Sequence, residues 1–160
     1  MVGKVGLLKV HLRGKRQSRS LWWNMSQTNE WETPQDLFNE LDKKYHFTLD
    51  PCATEQNAKC KKFYTKRVNG LQQSWKGEVV FMNPPYGREI GRWMAKAYQE
   101  GLKEGTTIVC LIPSRTDTRY WHEYVMKGDI TFIKGRLKFG DMKNSAPFPS
   151  AIVVLGGAAN

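Results

Sequence analysis

GEVVFMNPPYG, residues 77–87, is an apolar run that leads straight into a stiff polar turn. Val79, Val80, Phe81 and Met82 have the length and composition of a buried strand. Asn83, Pro84, Pro85 and Tyr86 follow it, and Gly87 closes the turn. Two consecutive prolines fix φ and remove two N–H donors. The residue before each proline is held out of helical geometry. An amide side chain, backbone carbonyls and an aromatic ring therefore stand on an extended ledge at the end of a strand. Such a ledge suits a planar amine. The Asn83 side-chain oxygen and the Pro84 carbonyl can accept its two protons, and Tyr86 can stack on the ring that bears it.

Downstream, residues 88–103 place Ile90, Trp93, Met94, Ala97, Tyr98 and Leu102 on one helical face. Residues 106–112, TTIVCLI, form a continuous apolar run, as expected of a strand inside a parallel sheet. It ends in Pro113, Ser114 and Arg115. A helix carrying Tyr120, Trp121, Tyr124 and Val125 is predicted next, capped by Asp117 or Thr118. Residues 129–133 read as a strand, followed by residues 134–140, KGRLKFG, then by residues 141–150 as a loop with Pro147 and Pro149, and residues 151–155 as a last apolar strand.

Upstream, Leu37, Phe38, Leu41 and Tyr45 recur at helical spacing. Thr33 is the expected N-cap, with Pro34 at the first helical position and Asp36 in the first turn, which predicts a helix over residues 34–44. Trp31 and Thr33 stand at its N-terminus, where backbone N–H groups favour a carboxylate. That position serves either a ligand or plain capping. Residues 46–50, HFTLD, alternate as a strand and end in Asp50, Pro51, Cys52 and Ala53. Residues 61–65 form a possible second strand, and Asn69-Gly70 marks a turn. Lys59, Lys61, Lys62, Lys66 and Arg67 are interleaved with Phe63 and Tyr64. This basic cluster either tracks a nucleic-acid backbone or forms a solvated face.

Alternation of strands and helices predicts an open α/β sheet with ligands at the carboxyl ends of its strands. Asp50, Asn83 and Ser114 all fall at such ends. The chain has 160 residues, enough for one domain with its own core. No apolar run approaches the roughly 20 residues that span a bilayer. The net charge is +10 with pI near 9.6, which favours a polyanionic partner. Residues 1–24 hold six basic residues and no acid; the remainder has 19 basic against 15 acidic residues, a net of +4. Residues 1–25 are thus expected to be a disordered basic extension, residues 26–156 the folded domain and residues 157–160 a tail. The extension reads either as an arm that grips phosphate or as leader residues from an upstream start codon, with Met25 just before the organised region. Cys52, Cys60 and Cys110 follow no metal-ligand spacing and are expected to be free thiols in a reducing cytoplasm, with no metal bound.

Asn-Pro-Pro-Tyr resembles the catalytic tetrapeptide of amino-methyltransferases. Taken with WETPQDLF, FTLDPCA, LIPSRTDTRYWH, GRLKFG and NSAPFPSAIVV in this order, the chain resembles the phage-type DNA N6-adenine methyltransferases (the phage Dam family) over residues 28–156. The resemblance implies a reduced Rossmann-like S-adenosylmethionine-dependent methyltransferase fold, with a mostly parallel central sheet and flanking helices. It implies methyl transfer from S-adenosylmethionine to N6 of adenine in double-stranded DNA, with the target adenine flipped out. It also implies phage or prophage origin and a place in the cytoplasm of a bacterial host. Asn83, Pro84, Pro85 and Tyr86 would be catalytic. Trp31, Thr33, Pro34, Asp50, Pro51, Cys52 and Ala53 would bind the cofactor. Arg88, Arg115, Arg136, Lys138, Phe139 and Phe148 would meet DNA, and Phe139 or Phe148 could supply a second stacking face.

The sequence departs from the usual pattern at two points. Asp50-Pro51-Cys52-Ala53 contains no glycine, and no acid for the ribose hydroxyls stands near residues 61–65, with Asn69 in the following loop. The tetrapeptide by itself also fits cytosine N4, RNA adenine or protein glutamine as the amine. A catalytically silent nucleic-acid-binding module is the remaining alternative.

Overall fold

A computed structural model describes residues 30–157 of the chain. The predicted basic extension, residues 1–25, lies outside the described residues.

The first helix, α1, spans Gln35–Tyr45 and buries Phe38. Its predicted cap is corrected. Pro34 occupies the N-cap position, no side chain caps the helix, and the Phe38 N–H reaches the Pro34 carbonyl at 3.1 Å. His46 ends the helix in left-handed geometry, φ 55°, with its N–H on the Asp42 carbonyl. Asp42 Oδ1 takes the next N–H, from Phe47, at 2.8 Å. This cap consumes the front of the predicted strand, so only Leu49–Asp50 pairs as β1. The second strand, β2, is likewise short, Lys62–Phe63. A 3-10 turn, Gly70–Gln72, leads on to β3, Val79–Met82.

After β3 come α2, Ile90–Gly101, and β4, Thr107–Pro113. A short helix α3, Arg119–Glu123, and a 3-10 turn, Val125–Lys127, precede β5, Asp129–Phe132. The last strand, β6, is Ser150–Gly156. The strands form one sheet in the order β2-β1-β3-β4-β6-β5. β1 is parallel to β2 and β3, and β3 to β4, while β6 is antiparallel to both β4 and β5. Five strands therefore run one way and β6 runs against them, the mostly parallel sheet expected of a reduced Rossmann-like methyltransferase domain. β1 has β2 on one side and β3 on the other, so the winding reverses there. A crevice opens at the carboxyl ends of strands at such a reversal.

Phe81 of β3 meets Phe38 of α1 edge-on at 5.1 Å and Phe47 at 5.3 Å. Val80 and Met82 alternate to the other face and are fully buried. β4 is apolar without a break because both of its faces are covered, and Ile108–Ile112 have no exposure. α2 buries Ile90, Trp93, Met94 and Ala97 as its spacing predicts. Leu102, expected on that face, is 70% exposed beyond the end of the helix, and Glu100 is buried instead. The Glu100 carboxylate accepts the Trp75 N–H at 2.9 Å and the Lys96 and Lys103 ammoniums at 2.7 Å each, which compensates a buried charge.

Candidate active site

All the sequence-predicted site residues except Trp31, Thr33 and Pro34 follow the carboxyl ends of β1, β3, β4 and β5. Those four strands share one direction, so their loops share one edge of the sheet. Trp31, Thr33 and Pro34 reach the same edge from the segment before α1. A cavity of about 830 Å³ opens there, lined by Trp31, Thr33, Asp50–Ala53 and Asn83–Pro85 among others. Its volume lies within the range of small-molecule sites.

Asp50 forms the floor of the β1 loop. It is 5% exposed, and its two oxygens accept the Cys52 N–H at 3.3 Å and the Lys59 N–H at 3.1 Å. Burial raises its pKa, and the two backbone N–H groups and the Lys59 charge oppose that rise. The loop thus folds around a carboxylate. A glycine does pack on this loop from outside it: Gly70, between β2 and β3, lies so close that a Cβ on it would stand 2.1 Å from the Pro51 carbonyl oxygen. Asn69 turns the chain into that contact with φ 60° and accepts the Leu71 N–H on its side chain at 3.2 Å.

Asn83 is the centre of the ledge. Its side-chain N–H groups donate to the Trp31 carbonyl and to Thr33 Oγ1, the latter at 2.9 Å. Its own backbone carbonyl accepts the Cys52 thiol at 3.2 Å. Desolvation, and then the Asp50 charge, push the Cys52 pKa well above its ordinary value, which keeps the thiol a donor. Asn83 Oδ1 is buried and has no hydrogen-bond partner among the described residues. Buried polar atoms are rarely left so, and an exception calls for an explanation. Gly87 completes the turn at φ 99°, a conformation that favours glycine.

Tyr86 lies deeper than the ledge implies. It is 4% exposed, its hydroxyl donates to the Leu111 carbonyl at 3.2 Å, and burial raises its pKa well above the ordinary value. Its ring meets Phe139 and Phe148 edge-on at 6.3 and 5.6 Å. Trp31 packs edge-on against the same two rings at 5.5 and 5.0 Å. The aromatic loop before β6 therefore sits directly over Tyr86.

Arg88, Arg115, Arg136 and Lys138 are all exposed. The Arg115 guanidinium lies 5.8 Å from the Phe148 ring centroid, and Arg136 reaches the Ala146 carbonyl at 3.5 Å. Sequence reading missed Lys59, Gly70, Leu71 and Trp93 as cavity walls, and noted Asn69 only as a turn residue in the loop where a ribose-binding acid is expected. Trp93 gives no signal, because its spacing is that of an ordinary core helix. Among the described residues, no group of three or more His, Cys, Asp or Glu is placed to hold a metal ion. No described helix is long and apolar enough to cross a membrane.

Comparison with known proteins follows the same lines. The chain is 31% identical over 93 residues to the DNA N-6-adenine-methyltransferase of Haemophilus phage HP1 (strain HP1c1), covering 57% of this chain and 53% of that protein. It is 33% identical over 95 residues to the DNA N-6-adenine-methyltransferase of Escherichia phage T1, covering 58% of this chain and 39% of that protein. It is 32% identical over 65 residues to the putative methyltransferase YfdM of Escherichia coli (strain K12), covering 36% of this chain and 71% of that protein. The chain thus spans about half the length, or less, of the two phage relatives it matches. The family model described as DNA N-6-adenine-methyltransferase (Dam) matches residues 23–153, nearly the whole folded region and every candidate site residue above. The chain belongs to the DNA N-6-adenine-methyltransferase (Dam) family.

Proposed function

We propose that this chain methylates N6 of a target adenine in double-stranded DNA, using S-adenosylmethionine as the methyl donor, in the cytoplasm of a bacterial host. The observation that carries the proposal is Asn83 Oδ1, a buried acceptor without a partner whose N–H groups are already committed. It is the acceptor an exocyclic amine requires.

The residues around the cavity fit the donor. Trp31, Thr33, Asp50, Pro51, Cys52 and Ala53 border it, and Phe81, Leu71 and Trp93 add apolar surface for a nucleoside. Backbone N–H groups at the start of α1, beside Thr33 and Pro34, favour a carboxylate. S-adenosylmethionine supplies an activated methyl on a sulfonium that leaves as a neutral thioether.

An adenine in a duplex is out of reach, so the base flips out at a cost of a few kcal/mol. Stacking against an aromatic ring offsets about 1–3 kcal/mol of that. Tyr86 offers this ring once Phe139 and Phe148 move aside, and one of the two then closes over the opposite face. The N6 lone pair is delocalised into the purine and is a poor nucleophile. Asn83 Oδ1 and the Pro84 carbonyl accept its two protons and draw it toward tetrahedral geometry. They also stabilise the positive charge that grows on nitrogen as the new C–N bond forms and the C–S bond breaks. The Asn83 carbonyl already takes the Cys52 thiol, and the Pro84 carbonyl has no N–H of its own residue beside it. One N6 proton then passes to solvent. Arg88, Arg115, Arg136 and Lys138 hold the phosphates beside the flipped base.

The test is methyl transfer from labelled S-adenosylmethionine to unmethylated duplex DNA, with nucleoside analysis of the product. N6-methyladenine is the expected result. N4-methylcytosine, or label appearing only in RNA or protein, would replace the substrate. Cofactor binding without transfer would point to a different amine or a missing partner, and loss of both transfer and binding would favour the silent-module reading.

A further inference from the structure

We infer that Thr33, with the Trp31 carbonyl, is a positioning residue that fixes which way the Asn83 amide faces. The inference deepens the functional reading above and rests on it for its kinetic arm. An asparagine side chain has two near-isosteric orientations, and only one presents oxygen to an incoming amine. At Asn83 the choice is made by chemistry. The Trp31 carbonyl is an obligate acceptor, so the atom facing it must be the amide nitrogen. Thr33 Oγ1 accepts the second N–H at 2.9 Å. With both protons committed, Oδ1 is the one polar atom of the side chain left to meet a substrate, and it is the atom without a partner. The opposite orientation would set oxygen against oxygen at Trp31 and strand a buried N–H.

The anchor comes from a distant part of the chain. Trp31 and Thr33 precede Asn83 by 52 and 50 residues. The Trp31–Thr33 strap is held from a second side, because the Gly140 N–H donates to the Glu32 carbonyl at 2.9 Å and the Trp31 ring packs on Phe139 and Phe148. Thr33 itself is 5% exposed and makes no helix cap, so its hydroxyl serves the amide. Thr33 borders the cavity but acts on the reacting amine only through Asn83.

The test compares Thr33→Val with Thr33→Ser in the full chain. Valine keeps the shape and removes the acceptor; serine keeps the acceptor. Thr33→Val is expected to lower kcat on duplex DNA by on the order of tenfold, the factor that corresponds to one net hydrogen bond. Tm should stay near wild type, donor binding should fall far less than kcat, and Thr33→Ser should restore kcat. A wild-type kcat for Thr33→Val, or equal loss of kcat, donor binding and Tm, would overturn the inference. A second measurement needs no turnover: the side-chain amide protons of Asn83, followed by 15N NMR and assigned with Asn83→Ala. Both should be protected from exchange in wild type and Thr33→Ser, and one should lose protection in Thr33→Val. Unchanged protection in Thr33→Val would overturn the positioning role. A wild-type protein that transfers no methyl yet shows the expected exchange pattern would overturn the substrate assignment and uphold the positioning of Asn83.

Discussion

Asn83 is held by three hydrogen bonds whose partners lie 52, 50 and 31 residues away in sequence. Its orientation is therefore a product of the fold and its chemistry a product of one side chain. Replacing it by alanine removes the acceptor for the amine and the two contacts to Trp31 and Thr33, while the other walls of the cavity belong to separate loops. Asn83→Ala should lower the transfer rate by roughly 10²–10³ or more, as expected for a lost acceptor at a developing charge. S-adenosylmethionine binding measured by calorimetry should change only a few-fold. Equal loss of both would reassign Asn83 to the cofactor. The residue type and its place after a strand were legible in NPPY. The Thr33 contact was not, because a threonine before Pro34 reads equally well as a helix cap.

Two elements connect the site to the rest of the sheet, and each yields a test. The 3-10 turn that begins at Gly70 packs its backbone on the Pro51 carbonyl. Gly70→Ala would place a methyl 2.1 Å from that oxygen, so one loop has to move. A loss of about 1–3 kcal/mol in stability is expected, together with weaker donor binding, read by denaturant unfolding and calorimetry. Unchanged binding would mean that the cavity does not depend on this contact. The other element is α2, whose Glu100 holds Trp75, Lys96 and Lys103 together. Burial opposes its charge, but the hydrogen bonds from Lys103, Lys96 and the Trp75 N–H outweigh burial and set its pKa below the ordinary carboxylate value. The folded state then binds this proton less tightly than the unfolded chain. Stability from Glu100 is present above the ordinary value of 4.5 and is lost as pH falls through it toward the lower folded value. Glu100→Gln should lower Tm at neutral pH and flatten the acid limb of the Tm-against-pH profile. An acid limb as steep as wild type would show that other carboxylates govern it.

At the scale of the whole molecule, the net charge of +10 favours a polyanion, and the exposed Arg88, Arg115, Arg136 and Lys138 follow strand ends on one edge of the sheet. Affinity for duplex DNA should fall with salt, and each phosphate contact removed should reduce the slope of log K against log salt by about 0.9. Arg115→Ala and Arg136→Ala are expected to do this for all sequences alike, measured by fluorescence anisotropy across a salt series. Unchanged slopes would place the phosphates on other residues. The sequence by itself determined the strand–helix alternation of an open α/β sheet, the polar ends of β1, β3 and β4, and the tetrapeptide. Each of these is a local pattern set by hydrophobic period and by proline. Only the tertiary structure decided that Gly70 packs on the Asp50 loop, that Phe139 and Phe148 sit over Tyr86, and that the Asn83 amide donates to Thr33. Those are contacts between segments far apart in the chain, and no local spacing records which distant groups the packed sheet brings within hydrogen-bond reach.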